Sequence, residues 1–363
     1  MIPFSEKELE GITYEENPFS GPDTPLFNYP VTRKENFLAC LRGEGYWVPT
    51  TNDIQLFHTK IVPCHQARGA IEDADPLPPE NLGGKDMFGI EWAFDPVTFG
   101  SIVRPGNPVL KDANDWKEII QFPDIDSWDW EASAKENAEF LDTDKLVSVY
   151  FFSGYFERLV SFMDFEGALI ALIDEDQKVA VKELFKALTD LYIKMVNKYC
   201  EYFPGKIDNI MLHDDWGSSH APFFSPDTIK EMLMYEPMRL VNYIKSKGIA
   251  ASGHCCGNIT SVLQYHVEIG YQMLEVQDLV DKDLFYENYA DKVMLTYSPD
   301  PLPENPTAEQ SREAARRFVD TYFNKGKKIV VEGYYTPLTT EFLEELYICS
   351  RKKSDEINAR KTN

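Results

Sequence analysis

Positive charge is scarce in this sequence. Against 60 Asp and Glu stand 36 Lys and Arg, a formal net charge of -24 over 363 residues. A surface this acidic repels nucleic-acid backbones and anionic lipid, so neither is an expected partner. Long apolar runs are missing as well: no stretch approaches the roughly 18 consecutive apolar residues of a membrane span. The opening MIPFSEKELEG has neither the basic start nor the apolar run of a secretory leader. Cysteine is sparse, six in the whole chain, which is no disulfide framework. Cys255 and Cys256 are adjacent, a spacing that suits a reducing compartment. A cytoplasmic protein is the expectation. Phosphate loops, dinucleotide fingerprints and nucleophile elbows are absent too, Gly83-Gly84-Lys85 being too short to count as one.

Apolar side chains are abundant. At 43% hydrophobic and 13% aromatic the chain can build a large core, and its length suits one barrel with insertions. No repeat, low-complexity tract or long linker divides it, so one domain over residues 1–363 is expected. Residues 1–30, rich in Pro, Gly, Asn and acids, read as an arm laid on the barrel; residues 61–110, with many Pro and Gly, read as a long insertion after the first strand. Short apolar runs then alternate with amphipathic segments, the pattern of a parallel sheet. The strands are expected at Trp47–Ile54, Met87–Phe94, Leu146–Phe152, Asn209–Asp214, Ile249–His254, Met273–Gln277, Val293–Tyr297 and Lys328–Glu332. Helix punctuation lies between them. Ser225-Pro226-Asp227 supplies an N-cap, a first-turn proline and an acid at the positive helix end, with Gly248 as the stop. Thr307 and Gln310 form a capping box for a helix expected to end at Gly326. The resulting expectation is an α/β fold, a single (β/α)8 TIM barrel, with a doubly wound open sheet as the alternative.

Active sites in such barrels lie at the C-terminal ends of the strands, and unusual polar residues gather there. His254 and Cys256, two apart on an extended segment, share a face and make half of a tetrahedral zinc site; the plain alternative is a hydrogen-bonded pair in the core. Glu332 is the candidate third ligand, since a carboxylate after the apolar run KKIVV needs a partner; a salt bridge within the barrel is its alternative. Cys349 sits in an apparent helix, EFLEELYICSRKK, where a buried thiol usually packs. Cys255 faces away from Cys256 and reads as packing. His213, Asp214 and Asp215 end another strand, where adjacent acids suit substrate hydrogen bonding, acid–base work or orientation of a metal-bound His; the two acids point to opposite faces, so at most one enters the site and the other caps a helix or loop. Gln277 ends the sixth strand. Trp216, Phe223, Phe224, Tyr297, Tyr334 and Tyr335 are candidates for an apolar wall around a methylated or methoxylated small molecule, with core packing as the alternative for each.

Several stretches resemble the uroporphyrinogen decarboxylase superfamily. TRKENFLACLRGEGYWVPT is similar to its opening helix and first strand, NPVLKDANDWKEIIQFPDID to the approach to its Phe-Pro-Asp element, and GYFERLVSFMDFEGALIALIDEDQ to its Gly-x-Phe-Glu helix pair. HDDWGSSHAPFFSPDTIKEM and IKSKGIAASGHCCGNI are the most specific, and LEVQD continues the series; together the matches span about residues 30–345. Authentic decarboxylases carry an Arg-rich segment that grips porphyrin carboxylates. The corresponding TNDIQLFHTKIVP has no Arg, so the resemblance falls to the cobalamin-linked methyltransferase branch. That branch binds zinc through a His-x-Cys pair, here His254 and Cys256, and a distant Cys in a Gly-Cys turn, where this chain has Glu332-Gly333-Tyr334. The resemblance implies a zinc-dependent methyltransferase. It would move a methyl group between a corrinoid (cobalamin) on a partner protein and a small methoxylated compound or thiol. A decarboxylase, or a non-catalytic barrel that binds a ligand or a corrinoid protein, are the rivals.

Overall fold

The computed structural model describes residues 2–16, 21–63, 71–72, 75–76, 83–96, 100–151, 153–333 and 338–359. The chain is α/β, with a seven-strand sheet: β1 (Ile54–Phe57), β2 (Leu146–Phe151), β3 (Asn209–His213), β4 (Ala250–Cys255), β5 (Met273–Val276), β6 (Met294–Tyr297) and β7 (Ile329–Val331). The helices between them are α1 (Phe156–Ala171), α2 (Lys178–Tyr202), α3 (Tyr235–Ser246), α4 (Leu263–Ile269), α5 (Lys282–Tyr289) and α6 (Ala308–Tyr322), and α7 (Thr340–Ala359) follows the last strand. The residues divide into two compact units, one of residues 1–55, 143–146 and 272–363, the other of residues 56–142 and 147–271.

In the second unit β2, β3 and β4 are consecutive parallel neighbours, with Ile210 opposite both Val149 and Ala251. The four residues Asn209–Leu212 are all buried, as expected of a strand covered on both faces. Asn209 sits between its neighbours and donates to the hydroxyls of Ser148 and Ser252, 2.7 Å each. α2 buries Leu184, Phe185, Leu188, Leu191, Tyr192 and Met195 at helical spacing. The helix announced by Ser225 begins there, its hydroxyl accepting from the Thr228 amide at 3.1 Å. It passes through a π-helical stretch at Ile229–Leu233 into α3 and stops before Gly248, whose φ is +78°.

In the first unit β5, β6 and β7 are parallel neighbours in chain order, and Thr50 bridges in parallel to Val331 of β7. The arm holds a two-stranded antiparallel ladder, Thr13–Glu15 on Thr24–Leu26. It is pinned to α7 by buried Glu8, which accepts from Arg351 Nε at 2.9 Å and from the Tyr347 hydroxyl at 2.5 Å.

Three sequence expectations need correction. Met87–Phe94 is not a barrel strand: Glu91–Asp95 lies between Gly84–Lys85 and Gly100–Val103 in an antiparallel sheet. Parallel pairing needs a crossover of a dozen or more residues, and these connections are far shorter. The first strand does not run unbroken from Trp47, because Thr51–Asp53 form a 3-10 turn. The Asp53 carboxylate accepts the Thr50 amide at 2.9 Å, a local bond that competes with the ladder. α6 ends at Tyr322, where the Phe323 amide closes the last turn on Val319; Gly326, at φ +77°, belongs to the turn beyond.

Candidate metal centre

β3 and β4 bring His213 and His254 into register as neighbours. Side chains two apart on an extended chain share a face, so each histidine is accompanied by the residue two further on, Asp215 in one case and Cys256 in the other. One ligand atom from each of His213, Asp215, His254 and Cys256 lies within 4.8 Å of all the others. The imidazoles stack, with centroids 4.4 Å apart and 7° between planes, and His254 Nε2 is 3.3 Å from Cys256 Sγ. Asp215 Oδ1 accepts the Cys256 amide at 2.6 Å, joining the two strand ends. The loops beyond them touch as well: the Asn258 amide donates to the Ser218 carbonyl at 2.7 Å. Gly257 has a φ of +85°, and a Cβ there would lie 2.2 Å from the Gly217 oxygen. Only glycine allows that approach.

Two imidazoles, a carboxylate and a thiol form a borderline-soft donor set that fits a divalent ion such as zinc. Burial raises the Cys256 thiol above its ordinary value, although the hydrogen bond from His254 opposes the rise. A cation at this point would stabilise the thiolate that burial disfavours, and one thiolate with one carboxylate would balance a divalent charge. Burial also works against a charged His213, but Glu157 and Asp215 outweigh it and raise the imidazole's pKa. Glu157 Oε2 lies 2.7 Å from His213 Nδ1. Burial raises the Glu157 carboxyl, and His213 draws it back.

Asp214 faces the other way. Its buried carboxylate accepts the amides of Tyr155, Phe156 and Glu157 at 3.1, 3.2 and 2.9 Å and the Trp216 indole N–H at 3.1 Å. It therefore caps α1, the second of the two roles its strand phase left open, and is not a substrate contact. Trp216, expected as a wall of the substrate pocket, is instead a core residue: it is buried, its ring lies 4.2 Å from that of His266, and its amide donates to Cys255 Sγ at 3.2 Å. Cys255 is buried beneath the site.

The remaining expected residues belong to the first unit. Tyr297 packs against Tyr286 of α5 and Tyr322 of α6, at 6.3 and 4.9 Å between centroids, and so faces the helix layer rather than a strand-end pocket. The Gln277 carbonyl accepts the Val280 amide at 3.1 Å. Glu332 follows β7 and its amide donates to the Tyr297 carbonyl at 2.9 Å; it is not one of the four residues of the candidate metal group. Cys349 is a packing thiol of α7, 3.7 Å from the Leu346 carbonyl, with its pKa pushed up to about 12 by burial. Tyr334 and Tyr335 lie outside the described residues.

The sequence gives His213 and Asp215 catalytic roles, and the structure brings both into the four-residue group that could hold a metal ion; Glu157 is not singled out by the sequence. The first had a visible signal, since His-x-Asp and His-x-Cys end consecutive strands at the same spacing. The second was visible only as the Glu of the Gly-x-Phe-Glu stretch GYFE, with nothing to join it to His213, 56 residues further on. No family model matches the chain, and no curated protein is significantly similar to it.

Proposed function

We propose that this chain is a zinc-dependent methyltransferase of the uroporphyrinogen decarboxylase superfamily, acting between a corrinoid carried by a partner protein and a small methoxylated compound or thiol. The observation that carries the reading is the convergence of His213, Asp215, His254 and Cys256 at two adjacent strand ends. His213, His254 and Cys256 would hold the ion, and Asp215 is the donor that yields its place to a substrate atom, since catalytic sites keep three protein ligands and one exchangeable position. Bound there, zinc would polarise an ether oxygen or hold a thiol as its thiolate. Asp215 also keeps the two loops together through the Cys256 amide. Phe156, adjacent to Glu157, and Phe224 are buried and pack together at 4.7 Å, which leaves half-buried Phe223, 6.0 Å from Phe156, as the ring that suits an aromatic or methylated substrate.

The proposal includes a closed (β/α)8 barrel in the cytoplasm. Parallel strands in chain order with helices between them support it, as does the bridge from Thr50, in the first strand segment, to the last strand. Among the described residues no helix is long and apolar enough to cross a membrane.

Metal analysis and methyl transfer test the two halves of the proposal. Purified under reducing conditions, the chain should hold about one zinc, and His254→Ala and Cys256→Ser should each lose it while remaining folded. The zinc-loaded chain should then demethylate methylcobalamin in the presence of a thiol, or methylate cob(I)alamin from a methoxyarene. Zinc without either reaction sinks the methyltransferase reading. So does turnover of uroporphyrinogen on the order of 1 per second.

A further inference from the structure

Glu157 touches the centre without being one of its four donors, and its position is fixed from several directions. The turn before α1 runs through Ser153 and Gly154. The Gly154 amide donates to the His213 carbonyl at 2.5 Å, and a Cβ on Gly154 would come within 2.7 Å of the Asp214 Cβ. The Asp214 carboxylate then accepts three successive amides, the last being that of Glu157 itself at 2.9 Å. His213, the last residue of β3, and Asp214 just after it therefore meet the same helical turn in opposite senses. Asp214 holds the backbone of Glu157, and the side chain of Glu157 reaches back to His213 Nδ1 at 2.7 Å. A side chain whose own backbone is anchored to the strand it serves has little freedom to drift.

We infer that Glu157 is the positioning residue of the metal centre: it accepts the Nδ1–H of His213, fixes that tautomer, and presents Nε2 toward Asp215, His254 and Cys256. This role rests on the metal centre proposed above. A carboxylate behind a ligating histidine both orients the ring and raises its basicity, and its loss typically lowers metal affinity about 10- to 100-fold. A glutamine in the same place still offers a carbonyl oxygen to Nδ1–H, so it retains the orientation while losing the charge. A methyl group retains neither.

The test uses the full chain, Co(II) and Zn(II) as probes, chelator competition for affinity, and the visible spectrum of the Co(II) form. Glu157→Ala should weaken Co(II) binding by about 10- to 100-fold and shift the ligand-field bands. Glu157→Gln should recover most of the affinity and the wild-type spectrum, and its metal-free melting temperature should match that of the wild type. Wild-type affinity and spectrum in Glu157→Ala would overturn the inference. Equal losses in both variants, each with the same drop in metal-free melting temperature, would also overturn it, since that pattern belongs to a helix-anchoring residue. A wild-type chain that takes up neither ion removes the centre itself, and this role with it.

Discussion

At the scale of the residue, adjacent side chains at the ends of β3 and β4 have opposite fates because successive residues point to opposite faces. Asp214 serves a helix and Asp215 faces the donor group; Cys255 packs and Cys256 faces the donor group. Substitutions one residue apart should therefore separate. Asp214→Ala leaves four N–H groups without their acceptor and should cost about 3 kcal/mol or more in urea denaturation. Asp215→Ala should change metal-free stability by no more than about 1 kcal/mol while lowering zinc retention. A reversed pattern would mean that the two faces are misassigned. His266 carries a second prediction at this scale. Its ring is buried, Nδ1 has no hydrogen-bond partner among the described residues, and burial pulls its pKa down to about 3. The unfolded chain takes up a proton below about 6.5 that the folded chain refuses until about pH 3. Stability should therefore fall as pH drops from about 6.5 toward 3, by a few kcal/mol at roughly 1.4 kcal/mol per unit. His266→Phe should flatten that part of a melting-temperature profile, and an unchanged slope would assign the acid sensitivity to other groups.

At the scale of the element, the parallel strands were legible because a strand covered on both faces must be a short continuous apolar run. LVSVYF, NIMLH and MLTY all read that way. What escaped was pairing. EWAFD carries as good a strand signal, but its partner is fixed by connection length rather than by its own composition, and short connections made it antiparallel. The His-x-Cys half of the centre was legible from spacing alone. Recognising the His-x-Asp half as donors required knowing that β3 and β4 are neighbours in register. Glu157 required the path of a helix that no local pattern encodes. The loop contact behind the donors gives the prediction at this scale. Gly257→Ala places a Cβ 2.2 Å from the Gly217 oxygen in a left-handed conformation, so the loops must separate. Such strain costs about 1–3 kcal/mol from the backbone alone, and zinc affinity should fall with it. Full zinc affinity and an unchanged melting temperature in this variant would mean that the loops tolerate separation.

At the scale of the whole molecule, the chain's two ends meet in one unit. Glu8 near the start and Arg351 near the end form a buried pair, 2.8 Å between Glu8 Oε1 and the Arg351 guanidinium. Removing one partner of such a pair strands the other charge and costs about 3–5 kcal/mol. Glu8→Gln should therefore lower the melting temperature by several degrees without touching zinc content; a silent substitution would mean that solvent reaches Arg351. The same division has a consequence for synthesis. The unit holding all four donors is complete in sequence at residue 271, whereas the other needs both residues 1–55 and everything after 272. A ribosome emits the chain in one direction, and domains fold as they emerge. The donor-bearing unit can therefore collapse before residues 272–363 are made, and the N-terminal arm must wait for the helix that will hold it.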